Sequence, residues 1–136
     1  MRKSFSKKEG GQAMVEFALI LPLLILLLCG IIDFGWIYGN QIQLNNASRD
    51  TARFMAINYG TSTDTQADAT ANTTLRNRLG TGNYMNNTNL NVNSTKTGDT
   101  VSVTATYPLP FLTPLLSTVL HRTVMNLSST TTMRIE

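Results

Sequence analysis

The chain has one cysteine, Cys29, so no intramolecular disulfide can form within it. It has one histidine, His121, and neither a metal-ligand cluster nor a catalytic partner motif accompanies it. No Gly-rich phosphate loop, G-x-S-x-G elbow or paired-Cys motif occurs, and Asp64 and Asp68 lack the EF-hand spacing of a calcium loop. These absences argue against an enzyme and imply no catalytic residue, no metal and no cofactor. Net basic charge is also missing from most of the chain. The formal charge is +3, but Arg2, Lys3, Lys7 and Lys8 against Glu9 account for all of it. From Gln12 onward basic and acidic residues balance, so no basic patch is left to grip nucleic acid.

What is present is a long apolar run. Phe17 to Ile32 reads "FALILPLLILLLCGII" without one charge. With the mostly apolar flanks Ala13–Val15 and Phe34–Tyr38 it reaches the roughly 20 residues needed to cross a bilayer. Pro22 is tolerable there because a membrane helix satisfies the freed carbonyl locally or against a neighbour. Four Lys/Arg precede the run and the next basic residue is Arg49, which places the N-terminus in the cytoplasm and the remainder outside it. The run ends in "GIIDFGWIYG" rather than in a small-residue cleavage site, so the span is expected to be retained. Trp36 and Tyr38 read as interfacial anchors. Cys29 follows Leu28, where a lipoprotein signal needs a small residue, so it reads as a small hydrophobe.

Helical patterning continues past the span. Leu44, Ala47, Ala52, Met55 and Ala56 form a narrow apolar stripe, with Asn45, Arg49, Asp50 and Arg53 off it and Gly60 as a stop. The chain therefore divides into a basic leader (1–11), a transmembrane helix (12–38), an amphipathic extension (39–59) and a Thr/Asn-rich lobe (60–136). Gly30, Gly35 and Gly39 leave open a break near Gly39 in place of one continuous helix. Within the lobe a short helix is expected from about Thr65 to Leu79, ended by Gly80. Period-two alternation at Leu90/Val92, at Val101/Val103/Ala105/Tyr107 and at Met125/Leu127/Met133/Ile135 predicts three half-buried antiparallel strands. Gly98 supplies the first turn. Pro108, Pro110 and Pro114 argue against a central strand between residues 108 and 121, which reads as an apolar connection. A lobe this small has a thin core of its own, so the sheet is expected to pack on the outer half of the long helix. The fold class is α+β.

One oddity remains at the mouth of the apolar run: Glu16, a carboxylate where lipid is expected, five residues after a Gly-Gly pair. A buried carboxylate needs a cationic or polar partner. Alone, it also fits a helix-start acid at headgroup level, favoured by the helix dipole. The stretch Gly11 to Arg53, with Gly11, Glu16-Phe17, Pro22, "GIIDFG" and "QLNNASRDTAR", resembles the N-terminal module of TadE-like proteins. These are pseudopilins or minor pilins of the Tad/Flp pilus system, a branch of the type IV pilin class, and the TadE and TadF types are not separable here. The resemblance implies a pilin-like fold and cleavage by a membrane prepilin peptidase between Gly11 and Gln12. Glu16 then becomes the fifth residue of the mature chain, placed to neutralise the new amine of a neighbouring subunit. It also implies other pilin-like subunits and Tad membrane assembly proteins as partners, in a bacterial inner membrane. The competing expectation is a signal-anchored membrane protein whose exterior lobe binds a surface ligand.

Overall fold

The computed structural model describes residues 9–58, 64–80 and 89–135. Most of the leader, the expected stop at Gly60 and the segment 81–88 lie outside the described residues. The first element, α1 (Glu9–Asn58), is one unbroken helix of 50 residues, about 75 Å long at 1.5 Å per residue. It passes through Pro22 and Gly39 without interruption. The alternative of a break near Gly39 is therefore not what this sequence adopts. Pro22 leaves only the Ala18 carbonyl without its intrahelical donor, a local loss that the continuous apolar helix on either side absorbs.

α2 (Asp64–Leu79) is followed by Gly80, whose φ of +81° lets the backbone leave the helix. Its buried face is Ala67, Ala71, Leu75 and Leu79, a four-residue step that keeps one stripe against the rest of the lobe. Alanine at two of those places lets the helix approach closely. The strands β1 (Asn91–Thr97), β2 (Thr100–Pro110) and β3 (Val124–Arg134) form one antiparallel sheet in the order β1-β2-β3. Gly98, at φ +58°, makes the β1–β2 turn. A short helix, α3 (Pro114–Leu120), joins β2 to β3.

The alternation expected of β1 and β2 is present, and β3 keeps it from Leu127 onward, but Met125 at its start, expected on the inward face, stands exposed. Val101, Val103, Ala105, Tyr107 and Leu109 point inward along β2, as do Leu90 and Val92 beside it. The stripe Leu44, Ala47, Ala52, Met55 and Ala56 on α1 is buried against them. α1 and α2 thus cover one face of the sheet, α1 lying over β2 and β3 and α2 over β1. The opposite face is a ladder of hydroxyls: Ser102 bonds Thr132 at 2.8 Å and Thr104 bonds Thr130 at 3.1 Å, each pair in direct register. Side chains also pin the layers. Asp68 on α2 accepts from the Ser94 amide (2.7 Å) and hydroxyl (2.6 Å), and Gln41 on α1 donates to the Ser128 carbonyl at 2.9 Å.

One expectation is corrected. Pro108 and Pro110 do not end the strand; they lie in β2, the middle strand of the three. The ladder explains why they are tolerated. β1 reaches only as far as Thr106, so beyond it β2 has a partner on one side alone. Phe111 donates its amide to Thr123 on the β3 side. Alternate residues of an antiparallel strand aim their N–H to opposite sides, so positions 108 and 110 face the side where β1 is absent. Proline removes no ladder bond there. Pro114 falls at the first turn of α3, where a missing N–H costs nothing.

Candidate functional site

Two places on α1 carry polar chemistry in an otherwise apolar setting. The first is the amino-terminal turn region. Gly11, Gln12, Glu16 and Phe17 are all exposed on the helix, and Phe17 keeps 61% of its surface. Gln12 and Glu16 are one turn apart, and the Gln12 amide Nε2 donates to Glu16 Oε1 at 3.2 Å. A side chain added at Gly11 would meet nothing within 4 Å. Glycine inside a helix costs about 1 kcal/mol relative to alanine, and no packing among the described residues accounts for it here.

From Met14 to Ile32 more than a dozen large apolar side chains stand exposed, and none of the helix's most apolar window is buried within the chain. Burying one such side chain is worth about 1.5–3 kcal/mol, so leaving the whole set in water forgoes roughly 20 kcal/mol or more. This is a helix long and apolar enough to cross a membrane. Pro22 lies in the bare part. Cys29 is half-buried and unpaired by disulfide.

The second place is Asp33, where bare helix gives way to lobe. Its carboxylate is fully buried, although it follows directly on the charge-free run. Oδ1 accepts the backbone amides of Leu112 at 3.0 Å and Thr113 at 2.9 Å, and Oδ2 accepts the Thr113 hydroxyl. Thr113 is the N-cap of α3 by position, yet its side chain makes no capping bond, because the hydroxyl is committed to Asp33. The aspartate therefore clasps the β2–α3 turn to α1 across 79 and 80 residues of sequence. Three charge-assisted bonds offset the cost of burying the carboxylate. Just beyond it Trp36 is half-buried and packs against the lobe's core, whereas Tyr38 keeps 68% of its surface. Of the two residues expected as interfacial anchors, Tyr38 is the free one.

Sequence reasoning assigned Asp33 no task. Its signal was available: a lone acid at the outer end of an uncharged run must find donors. What the linear sequence does not reveal is that the donors are main-chain amides nearly eighty residues away. The expected processing pair, Gly11 and Gln12, and the pair Glu16 and Phe17 share one short stretch of helix, about 25 Å along the axis from Asp33 when reckoned from Glu16. The two sites are separate.

The architecture defines an α+β protein with a long apolar N-terminal helix, half bare and half packed under a small antiparallel sheet. Compared with known families, residues 11–53 match the family model described as TadE-like protein. That match covers about a third of the chain, taking in both polar sites and ending within the stripe that packs on the lobe. No curated protein and no solved structure matches the chain. Together, the bare helix and the family match support a membrane-associated, pilin-like role.

Proposed function

We propose that this chain is a TadE-like membrane protein of Tad/Flp pilus biogenesis, acting as a pseudopilin, minor pilin or assembly factor in support of adhesion or secretion. In this reading α1 crosses the bacterial inner membrane once, with the N-terminus cytoplasmic and the lobe outside. A prepilin peptidase removes the leader between Gly11 and Gln12. Glu16 then lies within the bilayer, where a lone carboxylate is costly, and pairs with the α-amine that cleavage creates on a neighbouring subunit. The charge-free helix beyond it packs with other pilin-like subunits and Tad membrane assembly proteins.

The observation that carries the reading is the Gly11–Phe17 stretch at the head of a bare apolar helix, within the region matched to the TadE-like family. Among the described residues, glycine at position 11 has no packing task and Glu16 has only the Gln12 side chain as a hydrogen-bond partner. Both residues gain a purpose once the leader is cut. Intact mass of the protein from cells with an active prepilin peptidase should start at Gln12. A mature chain that keeps Arg2 to Gly11 refutes the pilin-like function.

A further inference from the structure

We infer that α3 and the strand start that follows it form a second membrane contact, lying on the outer leaflet beside the helix that spans it. This rests on the span proposed above. Residues 12–32 of α1 would measure about 31 Å, close to the roughly 30 Å of a hydrocarbon core. Asp33 comes next, and it holds Leu112 and Thr113 directly. α3 starts at Pro114, so the clasp fixes it at the outer edge of the bilayer.

The distribution of exposed apolar surface marks the same end of the lobe. Beyond Tyr38, large exposed apolar side chains occur among the described residues at Ile42, Phe54 and Ile57 of α1. All others fall at Leu112, Leu115, Val119, Leu120, Val124 and Met125. None of the residues of α3 is buried in the lobe. Its two hydroxyls are taken up by the helix's own backbone: Ser117 and Thr118 both donate to the Pro114 carbonyl, each at 2.8 Å. That leaves α3 with a surface suited to acyl chains. His121 and Arg122 follow it, both exposed, at the depth where lipid phosphates lie. The opposite end of the sheet is polar, with Lys96 and Asp99 at its turn, about 35 Å away along the eleven-residue β2.

A water-facing lobe has no reason to concentrate leucine and valine at one end. Phospholipid fits better than a protein partner, because the Asp33 clasp holds the patch against α1 at the end of its bare apolar stretch, where Phe34 and Tyr38 are also exposed, and the patch is followed by an arginine for the phosphates. The second contact would hold the lobe upright against the bilayer and set its height before the subunit leaves the membrane.

Fluorescence quenching tests this on the full chain in vesicles of phosphatidylethanolamine and phosphatidylglycerol, with the lobe outside. In a Cys29→Ser background, an environment-sensitive label is attached at Val119→Cys, at Leu24→Cys and at Thr97→Cys. All three sites are exposed, so labelling leaves the core intact. The Leu24 label should be quenched by lipids spin-labelled deep in their chains, and the Thr97 label by aqueous iodide alone. The Val119 label should be quenched by lipids spin-labelled near the headgroup, with iodide quenching several-fold weaker than at Thr97. Iodide quenching at Val119 equal to that at Thr97 overturns the inference. So does a Val119 label shielded from both quenchers, which would mean a protein covers the patch. A Leu24 label that lipid does not quench overturns the span itself, a failure distinct from the other two.

Discussion

Replacing Asp33 by alanine removes the acceptor for two backbone amides and one hydroxyl at a stroke. A hydrogen bond to a charged group contributes about 1.5–3 kcal/mol net. The three share one carboxylate, so they are not additive, and water can reach the freed amides of the exposed turn. The expected loss is about 3 kcal/mol. Asp33→Asn keeps one carbonyl oxygen for the amides and should lose about 1–2 kcal/mol, while Thr113→Val deletes the hydroxyl alone and should lose about 1 kcal/mol. The chain's single tryptophan, Trp36, is the reporter: it lies one turn beyond Asp33 and packs on the core. Urea unfolding of the lobe, followed by Trp36 emission with the full chain in detergent micelles, gives the order Ala, Asn, Val. If the clasp opens locally instead, amide exchange at Leu112 and Thr113 registers it, since about 3 kcal/mol is a loss of protection of roughly a hundredfold. Asp33→Ala with stability within about 0.5 kcal/mol of the parent and unchanged exchange would falsify the clasp.

Glu16→Ala should insert into the membrane as the parent does, yet be taken into assembled pili at least about tenfold less, in keeping with a few kcal/mol for an unpaired charge in lipid. Immunoblots of sheared pili and membranes measure the two quantities, and unchanged incorporation means the amine pairing is dispensable. Ser48 is fully buried on α1 and its hydroxyl has no hydrogen-bond partner among the described residues. Ser48→Ala should therefore be neutral or stabilise the lobe by up to about 1 kcal/mol in the same urea experiment; a loss of 1 kcal/mol or more would mean the hydroxyl is bonded.

Much of the architecture is legible in the residues, for reasons of periodicity. The α1 stripe at Leu44, Ala47, Ala52, Met55 and Ala56, and the β2 alternation from Val101 to Tyr107, repeat at the intervals their elements impose, and these side chains are buried. Gly80 and Gly98 stand where the backbone needs positive φ. The proline rule failed at β2 because it depends on which side of a strand has a partner. That is settled by how far β1 extends, which Pro108 and Pro110 do not reveal. The candidate site divides in the same way. Gly11, Glu16 and Phe17 stand out through their resemblance to the TadE-like pattern, whereas Asp33 enters that pattern only as one letter of "GIIDFG", with no partner attached to it.

The sequence by itself determined a charge-free apolar run with a basic segment before it, helix and strand periods after it, and the Gly11-to-Glu16 interval. All of these are local, fixed by residue order and by the geometry of one element at a time. Tertiary structure alone decided that the apolar helix continues unbroken into the lobe's core and that Asp33 meets the amides of Leu112 and Thr113. It also decided that the leucines and valines of α3 gather at the end nearest that aspartate. Those are matters of long-range juxtaposition. A carboxylate's need for donors is written in its chemistry, but which donors satisfy it depends on the path the chain takes between residues 33 and 112.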